Sequence, residues 1–347
     1  MRNYSAKNQR DQTCLRFFGA LFAAIIVAGF TSEAIAANAG GNGHGSHFRF
    51  AWLANDPANP YDNAILGGIR DAAAKSHSTV DPFFAGFDPD TQLSQCFSAL
   101  QTGQYDGLLV IAASPTGILP CVDAARNANV KVVAVDLPIG PDPTTVQPQV
   151  PGQVGACFIT APHFGQAVED IIPRACEGLD PCDVLYVAGL FSFPFDQFGL
   201  DGVQQAVAAN PSIHLVAQAE AFYDTNIARQ VVSDALVAHP EINLIMASAD
   251  QMALGAEQAA DAANIPVVIV GAGAGTDGIA AVRAGRWFAT FNALPRTEGR
   301  IATELMVKAL RNRNFRPIGI DPVTESGLPD MWTQANLAQH PNFVAEW

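Results

Sequence analysis

Charge is scarce in this chain, and positive charge scarcest: 15% of its 347 residues are charged, 19 of them Lys or Arg against 33 Asp or Glu. A surface with that balance repels nucleic-acid phosphates and anionic headgroups, so neither is an expected partner. No apolar run reaches the roughly 20 residues that span a bilayer. The segment Phe17–Phe30 comes nearest, with 14 residues. C-x-x-C and H-E-x-x-H spacings are absent, which removes the common zinc sites, and no metal is expected. There is no G-x-S-x-G elbow for a nucleophilic serine, and no helix-turn-helix pattern precedes residue 48. What is plentiful is apolar surface: 49% of the residues are hydrophobic. Such a chain folds around a large core, and its length suits two domains.

The first 36 residues read as an export signal. Arg2, Lys7, Arg10 and Arg16 precede the 14-residue apolar run, and Ala34-Ile35-Ala36 follows as a small-x-small cleavage site. Cys14 lies before the apolar run, so a lipoprotein signal does not fit. Cleavage after Ala36 leaves 15 basic against 31 acidic residues, an acidic protein expected in the periplasm. Residues 37–47 are Gly-rich and polar and read as a flexible leader, in preference to an adventitious metal site at His44 and His47. An oxidising compartment permits disulfides. Cys176 and Cys182 flank a short turn and are expected to pair. Cys96 and Cys121, in successive helices, form the second expected pair, leaving Cys157 as a buried thiol.

From Phe48 onward, short apolar runs alternate with helical patterns. FRFAWLA (48–54) reads as a strand, and DGLLVI (106–111) and VKVVAV (130–135) carry apolar residues on both faces rather than alternating, as buried parallel strands do. A proline-rich connector, residues 137–152, interrupts the alternation, which restarts at DVLYVA (183–188), IHLVAQ (213–218), NLIMAS (243–248), PVVIV (266–270) and WFATF (287–291). The fold class is therefore α/β: two doubly wound parallel-sheet lobes, with ligands expected beyond the carboxyl ends of the strands.

Several strings in this order resemble those of the type I periplasmic binding proteins, the ribose-binding-protein-like receptors of ABC transporters. They are Asn59-Pro60-Tyr61, DGLLVIAASP (106–115), Val135-Asp136-Leu137-Pro138, SADQMALGAEQAA (248–260) and VIVGAGAGTDGIAAVRAG (268–285). The resemblance implies a non-enzymatic receptor, monomeric and without cofactor, whose lobes close on a ligand by rotating about a multi-strand hinge. It implies an N-terminal lobe from 48–157 plus 292–320 and a C-terminal lobe from 158–291. Residues 321–347 remain as a tail packing on a lobe, with Trp332 and Trp347 as its anchors.

The departures bear on the ligand. Leu137 and Gln197 stand where the resemblance implies arginines, Ala249 replaces an Asn, and Ala272 and Gly273 replace Phe-Asp. The ligand set carried over is Asn59, Tyr61, Asp136, Leu137, Gln197, Tyr223, Asp250 and Asn292. GLFSFPFDQFG (189–199) follows a strand and adds Phe193, Phe195 and Phe198 to it, unless these rings belong to the lobe core. Lost arginines and gained rings suggest an apolar or amphipathic cargo, a sterol-like molecule or other lipid, with a sugar as the alternative. The expected partner is an inner-membrane transporter, or an envelope lipid-transport component if the cargo is a lipid. GAGAGTDG (271–278) lacks dinucleotide spacing. An exported enzyme working through Asp136 and Asp250 is the least favoured reading.

Overall fold

The computed structural model describes residues 47–347; the proposed signal and most of the leader lie outside the described residues. The first run comprises β1 (Arg49–Ala54), α1 (Pro60–Lys75), β2 (Thr79–Phe84), α2 (Pro89–Gln101), β3 (Gly107–Val110), α3 (Leu119–Asn127), β4 (Lys131–Val135) and β5 (Gln153–Cys157). The second comprises α4 (Ala161–Ala175), β6 (Cys182–Ala188), α5 (Pro194–Ala209), β7 (Ile213–Glu220), α6 (Thr225–Ala238), β8 (Leu244–Ala247), α7 (Asp250–Ala263), β9 (Val268–Ala272), α8 (Thr276–Arg283) and β10 (Ala289–Phe291). The chain ends with α9 (Pro295–Arg311), β11 (Ile318–Ile320), α10 (Pro322–Ser326), β12 (Met331–Thr333) and α11 (Gln334–Gln339).

Two six-stranded sheets result, in the orders β11-β5-β4-β3-β1-β2 and β12-β10-β9-β8-β6-β7. Both place the first two strands of their unit at one edge and add the later strands on the other side, as a doubly wound sheet does. Strands β3, β6 and β8 are buried at every residue, which is why they read as continuous apolar runs. Several helices start on side-chain caps: Asn59 accepts from the Tyr61 N–H, Asp88 from Thr91, and Asp224 from Asn226 and Ile227. The Cys96–Cys121 disulfide joins α2 to α3, and Cys176–Cys182 closes the loop between α4 and β6. Cys157 is free and buried, and burial pushes its thiol up. Among the described residues no helix is long and apolar enough to cross a membrane.

Two elements escape the apolar-run pattern. β2 (TVDPFF) is a sheet edge, where Pro82 costs no ladder bond and no residue is fully buried. In the tail, the three residues of β12 pair antiparallel with β10, and Trp332 is fully buried. The tail therefore completes the second sheet.

The chain passes between the sheets after β5, after β10 and after β11. His163, on α4 just past the first passage, is held at 2.8 Å from Asp321 and 2.9 Å from Asp330, both beyond the third. The hydrogen bond to Asp321, then that to Asp330, raises its pKa to about 9 against the opposing effect of burial. Stability from the charged imidazole is thus fully present below its unfolded value of 6.5 and lost as pH rises through about 9. His163→Asn is expected to cost about 1–3 kcal/mol near pH 6. Thermal melts should show the deficit vanishing above about pH 10; a deficit of the same size at alkaline pH would exclude the charged pairing.

Candidate ligand site between the lobes

The carboxyl ends of β1, β2, β4, β6, β7, β8 and β9 converge on a cleft of about 690 Å³, counted to its open mouth. Three lining residues at strand ends, Phe87, Asp136 and Tyr223, have φ of +62°, +63° and +55°. Non-glycine residues adopt this left-handed backbone at a cost and are found mostly where surrounding structure holds them for a purpose. Here it turns each side chain off the sheet end and into the cleft.

The cleft is aromatic in its middle. Phe87 comes from the first sheet's side and Phe193 and Tyr223 from the second. Their ring centres lie 6.0 to 6.3 Å apart, so they pack as one cluster bridging the lobes. Phe193 is only 3% exposed and joins the core of the first lobe although its own chain belongs to the second. Phe195 stacks on Phe164 at 3.9 Å and, with Phe291, walls the second lobe's side.

Polar groups surround these rings. Asn59 and Tyr61 enter from the start of α1, Asp136 and Leu137 from the end of β4, and Asn55, Asp62, Ser248 and Gln251 complete the lining. The Asn55 Oδ1 and Gln251 Oε1 atoms are buried without a partner in the protein. A buried acceptor left unpaired is costly, and both residues line the cleft. Asp62 accepts the backbone N–H groups of Asn55 and Asp56 at 3.3 and 3.0 Å. Burial lifts both Asp62 and Asp136 to about 7, Tyr61 opposing that shift at Asp136. Burial, then Glu298, Asp136 and Glu346, holds the Tyr61 phenol well above its ordinary value. Among the described residues no Lys, Arg or His lines the cleft.

Asp196 positions much of this wall. Fully buried in α5, it accepts from Gly189 N–H at 2.7 Å, Leu190 N–H at 3.0 Å, the Tyr223 hydroxyl and the Ser248 hydroxyl. Burial raises its pKa while those four donors lower it.

Of the residues expected at the site, the cleft gathers Asn59, Tyr61, Asp136, Leu137, Phe193, Phe195 and Tyr223. Four are not among its lining residues. Gln197 is exposed and donates to the Phe191 carbonyl. Phe198 lies on α5 where it crosses α4 at Gly165. Asp250 is spent inside the second lobe, accepting from Gly275 N–H at 2.7 Å and the Thr290 hydroxyl at 2.6 Å. Asn292 is wholly buried at the second passage, its amide without a protein partner. Asn55, Asp62, Phe87, Ser248, Gln251 and Trp347 are among the additions. Asn55 directly follows a strand end, a signal that marks it; Phe87 was hidden with the strand it follows.

Because the unfolded chain ionises Asp136 near 3.8 and the native state only near 7, the native state holds the extra proton between those values. Rising pH therefore favours unfolding across that window. Asp136→Asn is expected to make the decline shallower, by up to about 1.4 kcal/mol per pH unit. Denaturant melts at several pH values check this, and an unchanged slope would contradict it.

The family model for the periplasmic binding protein domain matches residues 50–314. The ribose import binding protein of Salmonella typhimurium is 36% identical over 261 residues, 74% of this chain and 83% of that protein. The D-allose-binding periplasmic protein of Escherichia coli is 28% identical over 282 residues, 79% and 87% of the two chains. Among solved structures, an ABC transporter solute-binding protein from Mycobacterium smegmatis with bound glycerol superposes with a TM-score of 0.75 at 22% identity, covering 86% of this chain and 99% of that one.

Proposed function

The chain belongs to the ribose-binding type of the periplasmic binding protein family, whose members bind solutes without turning them over, and from that premise we propose that it is the exported receptor of an ABC importer for a small, neutral, polyhydroxylated ligand, a sugar or polyol. The observation that carries the ligand class is the lining of the cleft: aromatic faces from both lobes ringed by amide, hydroxyl and carboxyl groups, with no cation among the described residues. A sugar presents C–H faces to rings and hydroxyls to such a rim. An anionic ligand would meet Asp62 and Asp136 with nothing to offset its charge.

The relatives fit this class by name, being proteins for ribose and allose, and a related structure holds glycerol. The sterol-like or other lipid cargo suggested by the lost arginines has no counterpart among them. Only Phe193 and Phe195 of the phenylalanine-rich segment reach the cleft, while Phe191 packs over Tyr186 inside the second lobe. The envelope lipid-transport partner is set aside with that cargo, leaving an inner-membrane importer.

Isothermal titration of the full chain with D-ribose, D-allose, glycerol and D-ribose 5-phosphate tests the proposal. Saturable binding of a neutral compound is expected, with none of the phosphate. Should a sterol or fatty acid bind where every sugar and polyol fails, the ligand class is wrong.

A further inference from the structure

Two features of the sequence remain without a role: the GAGAG loop after β9 and the tail that ends at Trp347. The structure puts them together. Gly273 has φ +127°, and a Cβ built on it would lie 2.5 Å from the Trp347 indole; one on Gly275 would lie 3.1 Å away. The loop lacks side chains where the indole rests, so it forms a seat for the ring. The indole Nε1 donates to the Gly273 carbonyl at 2.7 Å, and the ring packs edge-to-face with Tyr61, ring centres 5.5 Å apart. Trp347 thereby lines the cleft.

The seat is also a cap. Neither α8 nor α9 has a side-chain cap from its own N-cap residue, Gly275 or Leu294. The Trp347 main-chain oxygen accepts from the Thr276 N–H at 2.7 Å and its hydroxyl at 2.6 Å, satisfying the first turn of α8 in the second lobe. The adjacent Glu346 carboxylate accepts from the Thr297 N–H at 2.9 Å and its hydroxyl at 2.6 Å, satisfying the first turn of α9 in the first lobe. A carboxylate at a helix N-terminus is favoured both as acceptor and by the helix dipole. Two consecutive residues thus cap one helix from each lobe across the mouth of the cleft.

We propose that Glu346 and Trp347 form a strap that ties the lobes together in the closed form and makes Trp347 a specificity-determining wall of the ligand site. The proposal rests on the cleft being that site, but not on the ligand being a sugar. In the strapped state the indole limits the length of ligand the cleft admits. Opening the lobes requires Glu346 to leave Thr297, so a ligand that binds only the closed form strengthens the strap, and the strap strengthens its binding. Losing the cap on α9 should weaken closure about fivefold.

The test needs no natural ligand. The full chain holds four tryptophans, and Trp52, Trp287 and Trp332 are at most 1% exposed. In protein labelled with 5-fluorotryptophan, Trp347→Phe assigns the fourth fluorine resonance. That resonance is expected to lie away from the position of free indole in the unligated protein, and to move toward it in Glu346→Ala. Trp347→Ala should bind the neutral aromatic probe N-phenyl-1-naphthylamine at least about tenfold more tightly than the parent, because an emptied apolar site accepts such molecules. Phe222→Ala, at an exposed ring, should leave probe binding unchanged. A Trp347 resonance at the free-indole position overturns the seat. No movement in Glu346→Ala overturns the tie between lobes, and equal probe binding by Trp347→Ala and the parent overturns the wall. None of these results depends on which sugar or polyol binds, so failure here and failure of the ligand class are separately visible.

Discussion

Replacing Phe193 by aspartate is expected to reduce ligand affinity at least about 100-fold, near 3 kcal/mol. The ring is 3% exposed, belongs to the second lobe, and packs with Phe87 and Tyr223 into the core of the first. A carboxylate there loses the apolar contact that holds the lobes closed and is buried in a cleft that already contains Asp62 and Asp136, with no cation to pair it. Closure is the step that suffers, since each lobe keeps its own sheet and helices. Phe198→Ala, away from the cleft on α5, serves as the control and should bind normally. Calorimetry with the sugar or polyol that the parent binds decides the matter, and unchanged affinity in the aspartate variant would remove Phe193 from the site.

The second large effect is on stability. Asp196→Ala leaves the Leu190 N–H and the Tyr223 and Ser248 hydroxyls without their acceptor, while the Gly189 N–H keeps only the Ser248 Oγ at 3.1 Å. Unpaired buried donors cost about 1–3 kcal/mol each, partly relieved by relaxation, so a loss of about 3 kcal/mol or more is expected. Thermal melts should show a fall of about 5–10 °C. Asp196→Asn keeps one acceptor oxygen but presents an amide N–H to the Leu190 N–H and the Tyr223 hydroxyl, so its loss should be intermediate. Equal melting of the parent and the alanine variant would mean that these donors find other partners, and that Asp196 does not position the wall.

The fold was legible because parallel strands buried on both faces must be apolar at every position, and βαβ connections leave helices between them. Thus VKVVAV marked a central strand of the first sheet and NLIMAS a central strand of the second. β2 was not legible because its burial is partial and Pro82 breaks the run, both consequences of an edge position. β12 is three residues long, and its pairing with β10 depends on a tail whose path no local pattern announces.

At the site, residues that directly follow strands or open helices were found: Asn59, Tyr61, Asp136, Leu137, Phe193 and Phe195 all line the cleft. Position along the chain does not tell which way a helical side chain faces. Gln197 and Phe198 sit within four residues of Phe195 yet point elsewhere, because α5 must turn one side toward α4 and Gly165. Asp250 looks like a ligand group in sequence but is claimed by Gly275 and Thr290 in its own lobe. The ligand class was not legible for a related reason. Counting lost arginines and gained phenylalanines omits the unpaired Asn55 and Gln251 oxygens, which only the folded cleft reveals. Trp347 lies more than 70 residues from the GAGAG loop that seats it, and nothing local connects them.

The most direct test of the account is a crystal structure of the full chain purified from its own cell envelope with whatever it carries. A neutral, hydroxyl-bearing molecule is expected between the two lobes, one face against the Tyr61, Phe193 and Tyr223 rings and its hydroxyls on Asn55, Asp136 and Gln251. An acyl chain or sterol in that place, or a ligand bound anywhere outside the cleft, would contradict it.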